Sequence, residues 1–107
     1  MTRLNKFEEA ALADTDVRFG FEAFDVLQEI GRLTKEARLE AHLSQEDLQR
    51  VSGIDQADIS RVESGAMELG PTVLTLVRLA HATGRRLVIG LTAPEGEEDK
   101  APRIISL

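Results

Sequence analysis

The stretch that decides the fold is Leu43–Gly65, with the sequence LSQEDLQRVSGIDQADISRVESG. Ser44, followed three residues later by Asp47, is close to the capping box that opens a helix. Gly53 adopts a left-handed backbone at little cost, and such a residue commonly ends a helix. The sequence therefore predicts a first short helix that runs to about Ser52.

A second short helix is predicted directly after it. Asp55 is the candidate cap, the helix runs from Gln56 to about Glu63, and Gly65 stops it. The apolar side chains of the pair are spaced so that both helices bury one common face: Leu48, Val51, Ile54, Ile59 and Val62. Two short helices joined by a tight turn form the layout of a DNA-binding helix-turn-helix, although a generic helical hairpin in an all-α bundle has the same pattern.

The outer face of the second helix carries side chains that suit DNA. Gln pairs bidentately with adenine, Arg with guanine, and an Ala methyl contacts the thymine methyl. The candidate DNA-binding residues on this helix are Gln56, Ala57, Asp58, Ser60 and Arg61. Arg50, on the preceding helix, is expected to anchor a phosphate. Double-stranded operator DNA is therefore the first predicted partner.

Composition limits the remaining possibilities. A chain of 107 residues is long enough for one core, and it holds no Cys, which excludes disulfides and thiolate metal sites. The net charge is −6, but residues 44–92 carry five basic and six acidic groups and are close to neutral. DNA binding would therefore depend on a few placed Arg and amide contacts. With no long apolar run and no leader peptide, we expect a cytoplasmic protein.

Three further helices are expected around this pair. They are a short amphipathic helix at Leu4–Leu12, a long helix from about Phe19 to Ala41, and a helix from Thr72 to Thr83. Gly31 lies inside the long helix, where a break or bend is conceivable. Phe24 is expected to complete the protein's own core.

After Gly84 the pattern changes to a strand, at 86–92, and the Pro/Gly/acidic tail from Ala93 is expected to be loose. Because no second strand is expected, the strand would leave an unpaired edge that invites another chain. We expect two copies to pair antiparallel in a homodimer. The alternatives are packing on the chain's own bundle and addition to a partner's sheet. The predicted dimerisation residues are Leu87, Val88, Ile89 and Leu91.

These motifs together resemble the phage-repressor-type (XRE/Cro-like) helix-turn-helix family over roughly residues 30–84. The matching residues are Gln45, Leu48, Gly53, Ile59-Ser60-Arg61, Glu63, Gly65, Pro71, Thr75-Leu76 and Leu79-Ala80. The resemblance implies an all-α bundle of about five helices, dimers on palindromic operators, and a second motif helix in the major groove. It also implies that Gln45 lies against phosphate and that Arg38 and Glu63 form a structural ion pair. Gln49, where the family usually has a small Ala, and Asp58, which repels phosphate, depart from the pattern.

The segments on either side of the helix-turn-helix point to one group within this family. A Phe-bearing leader and a terminal strand are similar to those of HigA-type antitoxins, which neutralise a small basic ribonuclease toxin and repress their own operon. The candidate toxin-binding residues are Phe7, Leu12, Phe19 and Phe21. The alternatives are a stand-alone repressor and a protein-only adaptor that has kept the fold without DNA binding.

The sequence offers little for catalysis. His42 and His81 are isolated and lack the partners of a catalytic or metal site. We expect no enzyme activity, no metal and no cofactor. The predicted divisions of the chain are 1–22 as leader, 23–84 as helix-turn-helix domain, 85–92 as dimerisation strand and 93–107 as flexible tail.

Overall fold

The computed structural model describes residues 15–94 and 96–107, with side chains from residue 22 onward. The described elements are four helices and two strands: α1 (Thr15–Glu40), α2 (Gln45–Ser52), α3 (Gln56–Ser64), α4 (Val73–Ala82), β1 (Val88–Leu91) and β2 (Arg103–Ser106). The mostly helical class agrees with the prediction. The predicted helix at Leu4–Leu12, and with it the five-helix count, lies outside the described residues.

Helix α1 is the longest element, and it continues unbroken through Gly31. The glycine has a packing role instead of bending the helix. A Cβ at this position would lie 2.6 Å from the carbonyl oxygens of Val62 and Glu63, which is closer than real Cβ atoms approach. Gly31 therefore allows α1 to cross directly over the last turn of α3.

The end of α1 is set by His42, which has a left-handed backbone (φ 59°). The amide of Leu43 donates to the carbonyl of Arg38 (3.2 Å), so the chain turns back over the last turn of the helix. This is the hydrogen bond that closes a Schellman motif, here with histidine in the position that glycine usually occupies.

Helices α2 and α3 have the predicted ends. The hydroxyl of Ser44 accepts from the amide of Asp47 (3.0 Å), and the Asp47 carboxylate accepts from the Ser44 amide (3.0 Å), which completes a capping box. Gly53 (φ 74°) ends α2 and Gly65 (φ 70°) ends α3. A short turn between two capped helices therefore holds the pair at a fixed angle.

The core lies where α2, α3 and α4 meet. Its fully buried members are Leu48, Ile59, Val62 and Leu79, with Ile30, Leu43, Ile54, Met67 and Ala82 packed against them. Each buried aliphatic side chain contributes about 1.5–3 kcal/mol of transfer free energy. Helix α4 joins this core from its N-cap Thr72, whose hydroxyl accepts from the amide of Thr75 (3.1 Å).

Two predicted core residues are exposed. Val51 was expected on the common face of the helix pair, but 59% of it is exposed, because α2 packs through Leu48 with Gln45 and Ser52 beside it. Phe24 was expected in the core, but 58% of it is exposed on α1. Both predictions are wrong because helical spacing identifies the apolar stripe of a helix but does not show which part of that stripe the neighbouring helices cover.

The expectation that the chain has no second strand is also wrong. Strand β1 pairs antiparallel with β2, with Ile89 opposite Ile105 and Gly90 opposite Ile104. The tail is therefore not loose at 103–106, since its β-branched isoleucines form a strand after the acidic connection. Asp99 orders that connection by accepting from the amides of Ala93 and Ala101.

Two further observations concern the length and the character of the helices. Helix α1 crosses the predicted boundary between residues 22 and 23 without a break. Across the described ranges, none of the helices has the length and apolar character needed to span a membrane.

Candidate nucleic-acid interface

The outward side of α3 forms a polar surface on the helix pair. Because α3 packs against both α1 and α2, only one of its faces remains open. Ala57, Ser60 and Arg61 are exposed on it, while Gln56 and Asp58 are partly buried. All five candidate residues of the second motif helix therefore retain some access from outside, and Ala57 lies one helical turn before Ser60 and Arg61.

Each arginine near this face is paired with an acidic residue one turn earlier. The Arg61 guanidinium contacts the Asp58 carboxylate within α3, and Arg50 contacts Asp47 within α2. These exposed i, i+3 pairs are weak in free energy. Asp58 therefore places a negative charge on this face and is also the ion-pair partner of Arg61.

Asp47 has a second role besides its pair with Arg50. Hydrogen bonds from the backbone and the side chain of Ser44 hold the pKa of the Asp47 carboxyl below its ordinary value of 3.8, and Arg50 lowers it further. The carboxylate is thus charged at neutral pH at the N-terminus of α2, where a negative charge is favourable.

Arg38 and Glu63 are brought together beneath the interface. Nε and Nη2 of Arg38 donate to the two carboxylate oxygens of Glu63 at 2.7 and 2.9 Å, and Nη1 donates to the carbonyl of Leu43 (2.9 Å). Only 8% of Arg38 is exposed. The hydrogen bonds to Glu63 raise the pKa of Arg38. The pair ties the end of α1 to the last turn of α3.

Gln45 joins this pair. Its Nε2 donates to Oε1 of Glu63 (3.3 Å), so the side chain is drawn toward the buried carboxylate. Gln45 nevertheless stays partly exposed at the first position of α2, where the helix N-terminus itself favours an anion. A phosphate at this position would meet backbone amides as well as the Gln45 amide.

Gln49 is the site residue whose role the sequence did not reveal. Its Oε1 accepts from the backbone amide of Gln56 (2.6 Å) across the turn between α2 and α3. Asp55, the predicted cap, makes no side-chain capping hydrogen bond. The sequence did show that position 49 has a long amide side chain where the family usually has a small Ala. Residue spacing alone did not show which group that amide would bind.

The other candidate residues are distributed away from α3. Of the dimerisation residues, Leu87 is partly buried and Val88, Ile89 and Leu91 are exposed on the hairpin. Of the toxin-binding residues, Phe7 and Leu12 lie outside the described residues. Phe19 and Phe21 belong to α1.

The sequence also predicts no site of metal-ligating side chains. No cluster of three or more such side chains occurs among the residues that the structure describes. His81 uses Nε2 to contact the carbonyl oxygen of Leu107 (2.8 Å), which links α4 to the end of the hairpin.

A capped helix pair with an open polar face on its second helix defines a helix-turn-helix DNA-binding module. A family model described as helix-turn-helix matches residues 35–89, just over half of the chain. The chain therefore belongs to this family, of the XRE/Cro-like type, and is a DNA-binding transcriptional regulator. No curated protein matches the chain.

Proposed function

We propose that this regulator is the antitoxin of a type II, HigBA-like toxin–antitoxin pair. As a homodimer it binds operator DNA and represses its own operon, and it also neutralises a small basic ribonuclease. The observation that carries the DNA half is the open face of α3, where Ala57, Ser60 and Arg61 are exposed together. Gln56, Ala57, Ser60 and Arg61 contact bases or nearby backbone, and Gln45 and Arg50 contact phosphates.

Charge supports a selective interaction with DNA. The guanidinium groups of Arg50 and Arg61 already have carboxylate partners, so contact with DNA exchanges one partner for another. Because few cations are available to release counterions, the affinity for unrelated DNA is expected to be low. Base contacts then account for most of the discrimination.

The hairpin supports self-association. All eight residues of β1 and β2 are exposed, including Val88, Ile89, Leu91, Ile104 and Ile105. An isolated two-stranded sheet is marginal in water, and it still has an outer edge on each strand. A second copy that covers the hairpin would bury these side chains and place two α3 helices on successive half-sites.

The exposed side of α1 supports the toxin half of the proposal. Phe24 and Val26 are more than half exposed, and acidic side chains surround them on the same helix, among them Asp25 and Glu29. Exposed apolar groups within an acidic surface suit a basic protein partner. The alternative is a stand-alone repressor in which another surface covers Phe24.

DNA binding is tested on the segment upstream of the chain's own gene. Arg61→Ala and Gln56→Ala are expected to weaken binding by about tenfold or more each, since a good bidentate base contact is worth about 1–3 kcal/mol. Arg32→Ala is the matched control, because Arg32 also carries exposed ion pairs but lies on α1. Both α3 variants binding as tightly as wild type would refute the assignment.

The toxin half is tested by expressing the neighbouring gene. A small basic product that arrests growth, and whose effect this chain relieves, is the expected result. Phe24→Asp should impair the rescue while leaving operator binding intact, whereas Leu69→Asp serves as the control at another exposed apolar residue. A neighbouring region without such a gene favours the stand-alone repressor.

A further inference from the structure

The turn between α2 and α3 contains an unusual cap. The first amides of a helix have no acceptor within it, and the N-cap side chain normally binds the second or third of them. Asp55 makes no such bond. Instead, the amide of Gln56, the first residue of α3, donates to the side chain of Gln49 on the preceding helix (2.6 Å).

Gln49 binds across the turn with its main chain as well. Its carbonyl oxygen accepts from the amide of Gly53 (2.9 Å), which closes α2, while its Oε1 opens α3. One residue thus fixes the end of the first motif helix and the start of the second. This couples the orientation of α3 to α2.

We propose that Gln49 is a positioning residue for DNA recognition, because its amide oxygen holds the first turn of α3 and with it the side chain of Gln56. The inference rests on the proposed use of α3 at base edges. Recognition groups must lie within about 0.5 Å and 10–20° of their productive geometry, so a tether at the first residue of α3 bears directly on base contact.

The position of Gln49 predicts an effect on orientation more than on stability. Gln49 is exposed, so water replaces the lost acceptor when its amide oxygen is removed. The core beneath the turn, which includes Leu48 and Ile59, is not altered. A change in base preference is therefore expected without a matching loss of folded protein.

The first test needs no DNA. Hydrogen exchange of the Gln56 amide is measured by NMR in wild type, Gln49→Met and Ser52→Ala. Ser52 is the matched control because its hydroxyl accepts from the amide of Ile54 (3.0 Å) in the same turn. Gln49→Met is expected to speed exchange at Gln56 about two- to tenfold, the range of a single net hydrogen bond. Unchanged exchange would overturn the proposal.

The second test uses a duplex selected by the wild-type chain from a random library. Gln49→Met is expected to reduce the preference for the base pair opposite Gln56 by a similar factor, with binding to an unrelated duplex unchanged. Gln49→Glu keeps an acceptor and should retain the preference despite weaker overall binding. Faster exchange with an unaltered preference would make Gln49 a local cap only and overturn the role in recognition.

A final variant separates this proposal from the proposed function. If Gln56→Ala binds the selected duplex like wild type, α3 does not use Gln56 at bases and the recognition role of Gln49 fails with it. If Gln56→Ala weakens binding and Gln49→Met changes neither exchange nor preference, only the inference about Gln49 is overturned.

Discussion

The helix pair α2–α3 and the hairpin β1–β2 are both short elements joined by a connection, but different forces stabilise them. The helix pair buries Leu48, Ile59 and Val62, and the ion pair between Arg38 and Glu63 connects α3 to α1. The hairpin buries none of its eight strand residues and is joined chiefly by its ladder, by Asp99 and by the contact of His81 with Leu107.

The two regions differ in how much of their apolar surface a single chain buries. The helix pair buries Leu48, Ile59 and Val62 in the same core as Leu79 of α4, and its open polar face remains available for DNA. The hairpin leaves branched apolar side chains exposed, and an isolated two-stranded sheet is marginal in water. We therefore propose DNA recognition for the first region and self-association for the second.

The largest expected effect follows from breaking the buried pair. Glu63→Ala leaves the Arg38 guanidinium buried without its carboxylate, and the free energy of unfolding is expected to fall by about 3–5 kcal/mol. Urea denaturation measures it. Replacing both partners, Arg38→Met with Glu63→Leu, is expected to cost less than the single change, because no unpaired charge remains.

The matched control for the buried pair is the exposed one on α1. Glu29→Ala removes a partner of Arg32, and we expect a much smaller loss of stability than from Glu63→Ala, because solvent screens that exposed interaction. Equal losses from Glu29→Ala and Glu63→Ala would contradict the distinction between a buried and an exposed ion pair.

A substitution in the hairpin is expected to weaken the dimer without lowering the free energy of unfolding. Ile105→Lys puts a charge on an exposed apolar position, and the dimer dissociation constant should rise by about tenfold or more, which corresponds to 1.4 kcal/mol. Sedimentation equilibrium measures it. Leu69→Lys adds the same charge at a residue 97% exposed in the α3–α4 loop and should leave the dimer intact. A monomeric wild type would refute self-association.

The smallest expected effect is a pH dependence in the capping box. Because the folded-state pKa of Asp47 lies below its ordinary value of 3.8, its contribution to stability is present above that value and is lost as pH falls through the folded pKa. Asp47→Asn should therefore lower the thermal midpoint at pH 7, and the difference from wild type should shrink as the pH falls below 3.8. An equal difference above and below that value would contradict this assignment.

The sequence predicted the helix pair well because local chemistry determines it. Ser44, Asp47, Gly53 and Gly65 act on their own neighbours along the chain, so spacing reveals them. The predicted helix from Thr72 to Thr83 is also present, as Val73–Ala82 with Thr72 as its N-cap. Helix ends of this kind depend little on the rest of the fold.

The sequence failed where the outcome depends on distant contacts. The pairing of β2 with β1 joins residues separated by an acidic connection, and composition suggested only a loose tail. Gly31 looked like a weak point in α1, although its role is the close approach of α3. The exposure of Val51 and Phe24 depends on which neighbours cover each helix, and periodicity does not specify that.

The central claim is that α3 recognises bases, and binding-site selection tests it most directly. Random duplexes are selected with wild type and with Arg61→Gln, which replaces a guanine-binding side chain by an adenine-binding one. The account predicts that the preferred base changes from guanine to adenine at one position in each half-site, with the remaining positions retained. Selection of the same sequence with the same affinity by both proteins would contradict it.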